Sequence, residues 1–471
     1  MKIQTSAFVA LALAGALLAS GCDSYLDINE DPNDPTDVPA SALLASTTFL
    51  TGSNVFTMGG ITTNYVQHLA SPNQASASDI YERISFDGTW RNIYDVMADL
   101  RAIQAKGAET GATDYVGIAQ ILEAYHLASL VDLWGDVPYS EAFDPDQTLT
   151  PAYDDGQQLY GVALALLDQG VAALQAGGST ITPGGDDFIH GGDTAAWVRT
   201  GYALRARLLN HYSETPEYDP AAVLAAVGRA YRSPGDNATV RYFVEQINPW
   251  ADVAIDNANL FLGGWLSEQI VQALDGTQTG VVDPRIESYT DALADGSYLG
   301  TVNGAGRGAA SESGSRSVLT TDTYYARTTA PLEIITYSEL KLIEAEAALR
   351  AGQPGRAYAA YVEAIRSHMA TLGVASAAAE AYIAAPQVGV GAGALGLDDV
   401  FREKYKVLFL NPEAWVDARR FDYAYEGFDL PVNSELPTFI RRIDYPDSER
   451  TRNRANVPAA VALTDRIWWD R

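Results

Sequence analysis

Apolar residues recur at three- and four-residue spacing along much of the chain, the spacing of one helix face. From Asp114 to Trp134 the stripe is Ile118, Ile121, Leu122, Tyr125, Leu130 and Leu133. It stops at Gly135, a natural C-cap, with Pro138 soon after. Asp154 to Leu174 repeats the pattern with Leu159, Val162, Leu166, Leu167 and Leu174. Asp193-Thr194 caps a third helix that runs through Trp197, Tyr202, Leu204, Leu208 and Leu209 to Tyr212. Thr336 to Arg350 and Arg356 to Leu372 are two helices joined by Gly352-Gln353-Pro354-Gly355. The length and Ala-rich faces of this αα-hairpin resemble a tetratricopeptide unit. Asp398 to Arg420 is predicted as one last long helix, and Ser41 as the N-cap that opens the helical body.

Between these helices the pattern lapses. Residues 51–92 hold Gly, Asn, Gln, Ser and Tyr with no sustained period. Residues 232–335 contain Gly263-Gly264, Asp275-Gly276, Asn303-Gly304 and a Ser/Gly-rich run, and residues 421–471 are Pro-, Arg- and Asn-rich. Loops of this length in a compact protein are usually functional or disordered. The expected fold is mainly α: a tetratricopeptide-like helix-pair scaffold, mainly 95–231 and 336–420, with an irregular loop-rich lobe, mainly 51–92 and 232–335, and a C-terminal coil over 421–471.

The amino terminus follows a different rule. Met1-Lys2 precedes an apolar run from Ile3 to Leu18 and then Ala19-Ser20-Gly21-Cys22. A charged start, a short apolar stretch and small residues before a break describe a secretory signal. Leu-Ala-Ser-Gly-Cys resembles a bacterial lipobox, in which the cysteine is lipidated and becomes the first residue; Ala19 departs from the branched aliphatic that is commoner there. The alternative is a plain signal beside a coincidental cysteine. Residues 1–21 are therefore expected to be a lipoprotein signal peptide and 22–40 an extended tether broken by Pro32, Pro35 and Pro39. Residues 41–471 then form a single body.

Charge and composition narrow the function. Sixty acidic against 31 basic residues give −29, and removing residues 1–21 with their one lysine gives about −30. Such a chain repels phosphate backbones, so no nucleic-acid partner is expected. One cysteine excludes an internal disulfide or a Cys-rich zinc site. Lysine is confined to Lys2, Lys106, Lys341, Lys404 and Lys406. HExxH, GxSxG, P-loop and dinucleotide motifs are absent, so no cofactor is expected. The five histidines are scattered, and the pairs Asp154-Asp155 and Asp398-Asp399 stand at helix starts, where acids favour the dipole. Asp27, Asn29, Asp31 and Asn33 alternate like an EF-hand start, but Pro32 and Val38 occupy the glycine and glutamate positions, so no metal is expected.

Six segments in order carry a resemblance. They are "YLDINEDPNDPTDVP", "LWGDVPYSEAF", "VVDPRIESYT", "ITYSELKLIEAEAALRAG", "FREKYKVLFLNPEAWVDARRF" and "RRIDYPDSERTRNRANV". With the lipobox they resemble the SusD/RagB family of nutrient-binding outer-membrane lipoproteins, particularly its SusD-like branch. The resemblance implies a mainly helical, non-catalytic lipoprotein at the cell surface. It further implies a lid over a SusC-like TonB-dependent transporter, capturing an oligosaccharide or, in some members, a peptide. Trp134, Gly135, Asp136, Pro138 and Tyr139 then read as a helix stop with a packed aromatic. Glu344, Glu346, Trp415, Arg419 and Arg420 read as residues that pack or pair between helices.

Ligand residues must be argued physically, because this family's loops vary. Sugars need flat aromatic platforms beside amides, carboxylates or arginines. The loop regions offer Tyr65, His68, Asn73 and Tyr81 on one side and Trp250, Tyr298, Asn303 and Tyr324 on the other. Trp250 and Tyr298, with one or two of Tyr65, Tyr81 and Tyr324, are expected to form the platform. The competing expectation is that these rings pack the irregular lobe, which Trp90 and Trp265 are expected to do; Trp468-Trp469 is expected to anchor the tail. A peptide-capture lipoprotein of the same fold, a secreted glycoside hydrolase and a helical envelope scaffold are the alternatives.

Overall fold

The computed structural model describes residues 38–258, 263–308, 316–459 and 461–471. Cys22, residues 22–37 of the expected tether and the Asp/Asn run at 27–33 lie outside them. The chain is mainly helical. α1 (Ala40–Tyr65), α2 (Asp87–Thr110), α3 (Thr113–Trp134), α4 (Gly156–Ala176), α5 (Thr194–His211) and α6 (Pro220–Val227) pack in succession. Asp155, Asp193 and Asp219 cap α4, α5 and α6 by accepting backbone N–H bonds. α3 ends as expected: Gly135 takes φ +85° and its N–H closes on the Val131 carbonyl at 2.8 Å. Gly117 near the start of α3 faces Gly170 near the end of α4, so these helices run antiparallel. A Cβ at Gly170 would lie 2.7 Å from the Gly117 carbonyl oxygen, so only glycine permits the approach.

α7 (Pro249–Ala258) and α8 (Glu268–Leu274) lie in the loop-rich lobe. α9 (Tyr337–Arg350) and α10 (Pro354–Thr371) form the expected αα-hairpin, with Thr336 accepting from Glu339 N as N-cap. α11 (Ser376–Ala384), α12 (Leu397–Val407), α13 (Glu413–Arg420) and α14 (Asp447–Arg452) complete the helices. Arg207 of α5 grips Glu339 of α9 through Nε and Nη2, each at 2.6 Å, and so ties the two helical runs together. Two short antiparallel ladders serve the lobe. β1 (Leu69–Ala70) pairs with β3 (Trp265–Leu266), and β2 (Ala238–Val240) pairs with β4 (Leu332–Ile335).

Three expectations fail here. Residues 51–65 are helical, because α1 is buried around much of its circumference and therefore shows no amphipathic stripe. Its threonines turn inward by donating to carbonyls one turn back, as Thr48 and Thr51 do at 2.7 Å. Ser41 is no cap: α1 starts after Pro39 with no side-chain cap bond. The last long helix is two, because Leu410 adopts φ +63° and Asn411-Pro412 restarts the chain as α13.

The carboxyl-terminal segment is pinned rather than free. Ile443 N donates to the Leu133 carbonyl, and Trp134 Nε1 to that of Asp444. Trp469 is fully buried and donates to Asp132 at 2.9 Å, while Trp468 packs edge-on against Tyr160 and Tyr212. Glu344 and Glu346 face apart as their spacing requires. Glu344 meets Lys341 and Arg356 near the surface, and Glu346 meets Arg420 and Lys404 in the interior.

Candidate ligand-binding site

The structure separates the eight sequence-derived candidates by depth. Five are interior. Tyr65 is wedged against Tyr81 and Trp415, and Tyr81 is buried beside it. His68 is fully buried, within 3.0 Å of the Tyr405 carbonyl through Nε2, and accepts from Leu410 N through Nδ1. Burial pushes its imidazole down to about 3. Trp250 is 4% exposed and meets Phe56 edge-on at 4.7 Å. These rings offer no open face, so the expected platform of Trp250 with Tyr65 or Tyr81 is not formed. The irregular lobe needs a core, and large rings supply the most buried area per residue.

Asn303, the fifth, is structural in an informative way. Its Nδ2 donates to the Leu69 carbonyl at 3.0 Å and to Asp79 at 3.1 Å. The Asp79 carboxylate also accepts from Asn64 Nδ2, Ser71 N and Gly304 N. Burial raises this carboxyl, and its four donors oppose the shift. The hub clamps loop 71–86 to loop 303–308 and leaves Asn73 exposed on the outside.

Tyr298 and Tyr324 are half-buried. Tyr324 is the shared wall of two open clefts, of about 540 and about 350 Å³. Its N–H donates to the Ser288 carbonyl at 3.1 Å, and its hydroxyl to Glu333 at 3.4 Å. The Arg327 guanidinium lies 4.9 Å from its ring centroid. The larger cleft adds Pro284, Glu287, Asp322 and Leu372. Tyr298 stands close enough to Glu287 and Asp291 that, after burial, their charges raise its phenol.

The floor of the smaller cleft is the outer face of the β2–β4 ladder. Ala238, Val240, Leu332 and Ile334 point into the core, so Thr239 and Glu333 alternate outward, and Arg241 follows. Arg199 enters from α5, held by Asp236 at 2.9 Å. Burial pushes the Glu333 carboxyl up to about 7 against the opposing Tyr324 hydrogen bond. Sequence reasoning named none of Arg199, Arg241, Arg327, Glu287 or Glu333. The alternation of apolar and polar residues over 238–241 and 332–335 was a usable signal for Thr239 and Glu333. A further cavity beside Asp132, His211 and Glu413 holds about 30 Å³, room for about one water. Among the described residues, no three His, Cys, Asp or Glu side chains are grouped to hold a metal.

A family model described as starch-binding and associating with the outer membrane matches residues 32–446. The chain belongs to the SusD-like family. Solved structures agree in fold. A SusD/RagB family protein from Bacteroides thetaiotaomicron superposes with TM-score 0.77 at 21% identity, over 92% of this chain and 99% of that one. A SusD homologue from Bacteroides fragilis gives 0.77 at 20% over 92% and 100%. A chitin-binding SusD homologue from Flavobacterium johnsoniae gives 0.74 at 20% over 91% and 97%. No curated protein matches the chain by sequence. The mainly helical architecture accords with those solved structures.

Proposed function

We propose that this SusD-like protein is a cell-surface lipoprotein that binds an oligosaccharide and delivers it, without catalysis, to a SusC-like TonB-dependent transporter. One observation supports the reading most directly: Tyr324 stands half-buried between two clefts rimmed by arginines and carboxylates. An aromatic ring with polar groups beside it matches the apolar faces and hydroxyl edges of a sugar chain. The clefts fall in the size range of small-ligand sites. Tyr324 supplies the ring to the glycan, whereas Tyr298 and Asn73 line neither cleft. Starch, which gives the family its description as starch-binding, and chitin, which the Flavobacterium johnsoniae homologue binds, are the first glycans to try.

Cys22 carries the lipid. Two or more acyl chains hold a strongly acidic body at the membrane, since each buried CH₂ contributes about 0.8 kcal/mol. Calorimetry with maltooligosaccharides, chitooligosaccharides and a peptide panel, with product analysis alongside, tests the reading. It expects glycan binding with the ligand recovered intact. Peptide binding with no glycan binding, or released product, overturns it.

A further inference from the structure

A cavity of about 260 Å³ lies between α8, α12 and the segment after α13. It shares no lining residue with the Tyr324 clefts. We propose that it is a second saccharide site, one sugar unit in size, in which Phe421 and Tyr425 face the ring and Gln269, Gln278, Asp398 and Arg402 face its hydroxyls. It goes beyond the Tyr324 reading and fails or stands separately from it.

The lining supplies both halves of sugar chemistry. Phe421 and Tyr425 are half-buried, 5.1 Å apart at 58°. Phe401 stacks on one face of Phe421 at 4.5 Å and 7°, which fixes its plane. Tyr405 supports Tyr425 from below at 4.9 Å. The platform is therefore built on buried rings of α12 and is held before any ligand arrives.

The polar edge is rich in unused acceptors. Gln269 and Gln278 both donate Nε2 to the Glu426 carbonyl, at 2.9 and 3.1 Å. That shared anchor fixes both amides and leaves each Oε1 to accept from elsewhere. Asp398 is exposed and, among the described residues, has no side-chain partner. Arg402 is held by Asp399 at 2.7 Å and by the Gln387 carbonyl, so its guanidinium is positioned as a donor. Two amide oxygens, a carboxylate and one guanidinium beside two rings suit a ligand with several hydroxyl donors and an apolar face. The volume lies below the range for drug-sized ligands, so a single sugar unit fits better than a chain.

Saturation-transfer NMR tests this on the Tyr324→Ala variant, in which the first site's aromatic wall is gone. The probes are glucose, galactose, mannose and N-acetylglucosamine, with 1,5-diaminopentane as a competing cation. At least one sugar should receive saturation, and adding Asp398→Ala and Gln278→Ala should weaken its binding about tenfold or more. The Asp398→Ala/Gln278→Ala protein with Tyr324 intact should keep its oligosaccharide affinity by calorimetry. No transfer to any sugar, transfer unchanged by the double substitution, or transfer to the diamine alone each overturns the proposal. Oligosaccharide binding that ignores Tyr324→Ala instead counts against the first site.

Discussion

Arg285 and Glu403 meet at 2.6 Å with neither side chain exposed to solvent. Arg285 also holds Asp283 at 2.6 Å, and Lys406 bridges Asp283 and Glu403 at 3.1 and 3.0 Å. Two acids and two bases thus neutralise one another in the interior. Burial would raise Glu403, but the charges of Arg285 and Lys406 outweigh it and hold it at about 2. The quartet joins the turn bearing Pro284 and Glu287, in the larger cleft, to the helix bearing Arg402 and Tyr405, in the second cavity. Lys404, two residues from Lys406, enters a second quartet with Glu346, Asp417 and Arg420. Two of the four lysines among the described residues are therefore interior.

Breaking such a set leaves an unpaired buried charge. Arg285→Met should cost about 3–5 kcal/mol of unfolding free energy in urea titration. A loss below about 1 kcal/mol, the size of an exposed pair, would show that the quartet is not desolvated.

The caps and the hairpin were legible in the sequence because each rests on local chemistry: Asp155, Asp193 and Thr336 sit one residue before a periodic stretch. α1 was not, because a helix buried on most sides carries no period. Its Gly59 exists for a long-range reason, since a Cβ there would lie 2.5 Å from the Leu410 carbonyl oxygen. The site was half legible. Tyr298 and Tyr324 were named, yet nothing local distinguishes them from Tyr65, Tyr81 or Trp250, whose burial is decided by chain segments far away. Tyr65 meets Trp415, and His68 meets Tyr405.

That contrast gives a pair of expected outcomes. Trp250→Ala should cost about 3–5 kcal/mol, as expected for an emptied aromatic site. Tyr298→Ala should change stability by less than about 1 kcal/mol, because its ring is only half-buried. Thermal unfolding of the two variants checks this, and similar losses for both would contradict the assignment of depth.

Stability should fall in mild acid. Burial holds His68 and His368 down at about 3, and His126 and His190 at about 4, against an ordinary 6.5. The unfolded chain takes up these protons first, so stability is lost as pH drops from 6.5 towards 4. Glu333, raised to about 7, acts in the opposite sense, since its contribution is present below 4.5 and lost as pH rises through 7. Burial also raises the carboxyls of Asp79, Asp132, Glu339 and Asp470, which act in the same sense as Glu333. Their ordinary range lies below that of the imidazoles, so the four histidines dominate between pH 5 and 7 and urea midpoints should be lower at pH 5 than at pH 7. Glu333→Gln should steepen that loss by removing the opposing group that titrates nearest neutrality; a flatter profile would contradict the raised carboxyl.

Lipidation is read from a short motif, and Cys22→Ala tests it alone. The variant should leave the membrane fraction for the soluble one, while retained anchoring would show that the cysteine carries no lipid.

Tyr324 is proposed to divide a glycan-binding site. Calorimetric titration of one bound oligosaccharide into the parent protein and Tyr324→Ala measures it directly. Affinity should fall about tenfold or more, at least roughly 1.4 kcal/mol, with the thermal midpoint nearly unchanged. An unaltered Kd in a folded Tyr324→Ala protein would place the glycan elsewhere and contradict the account.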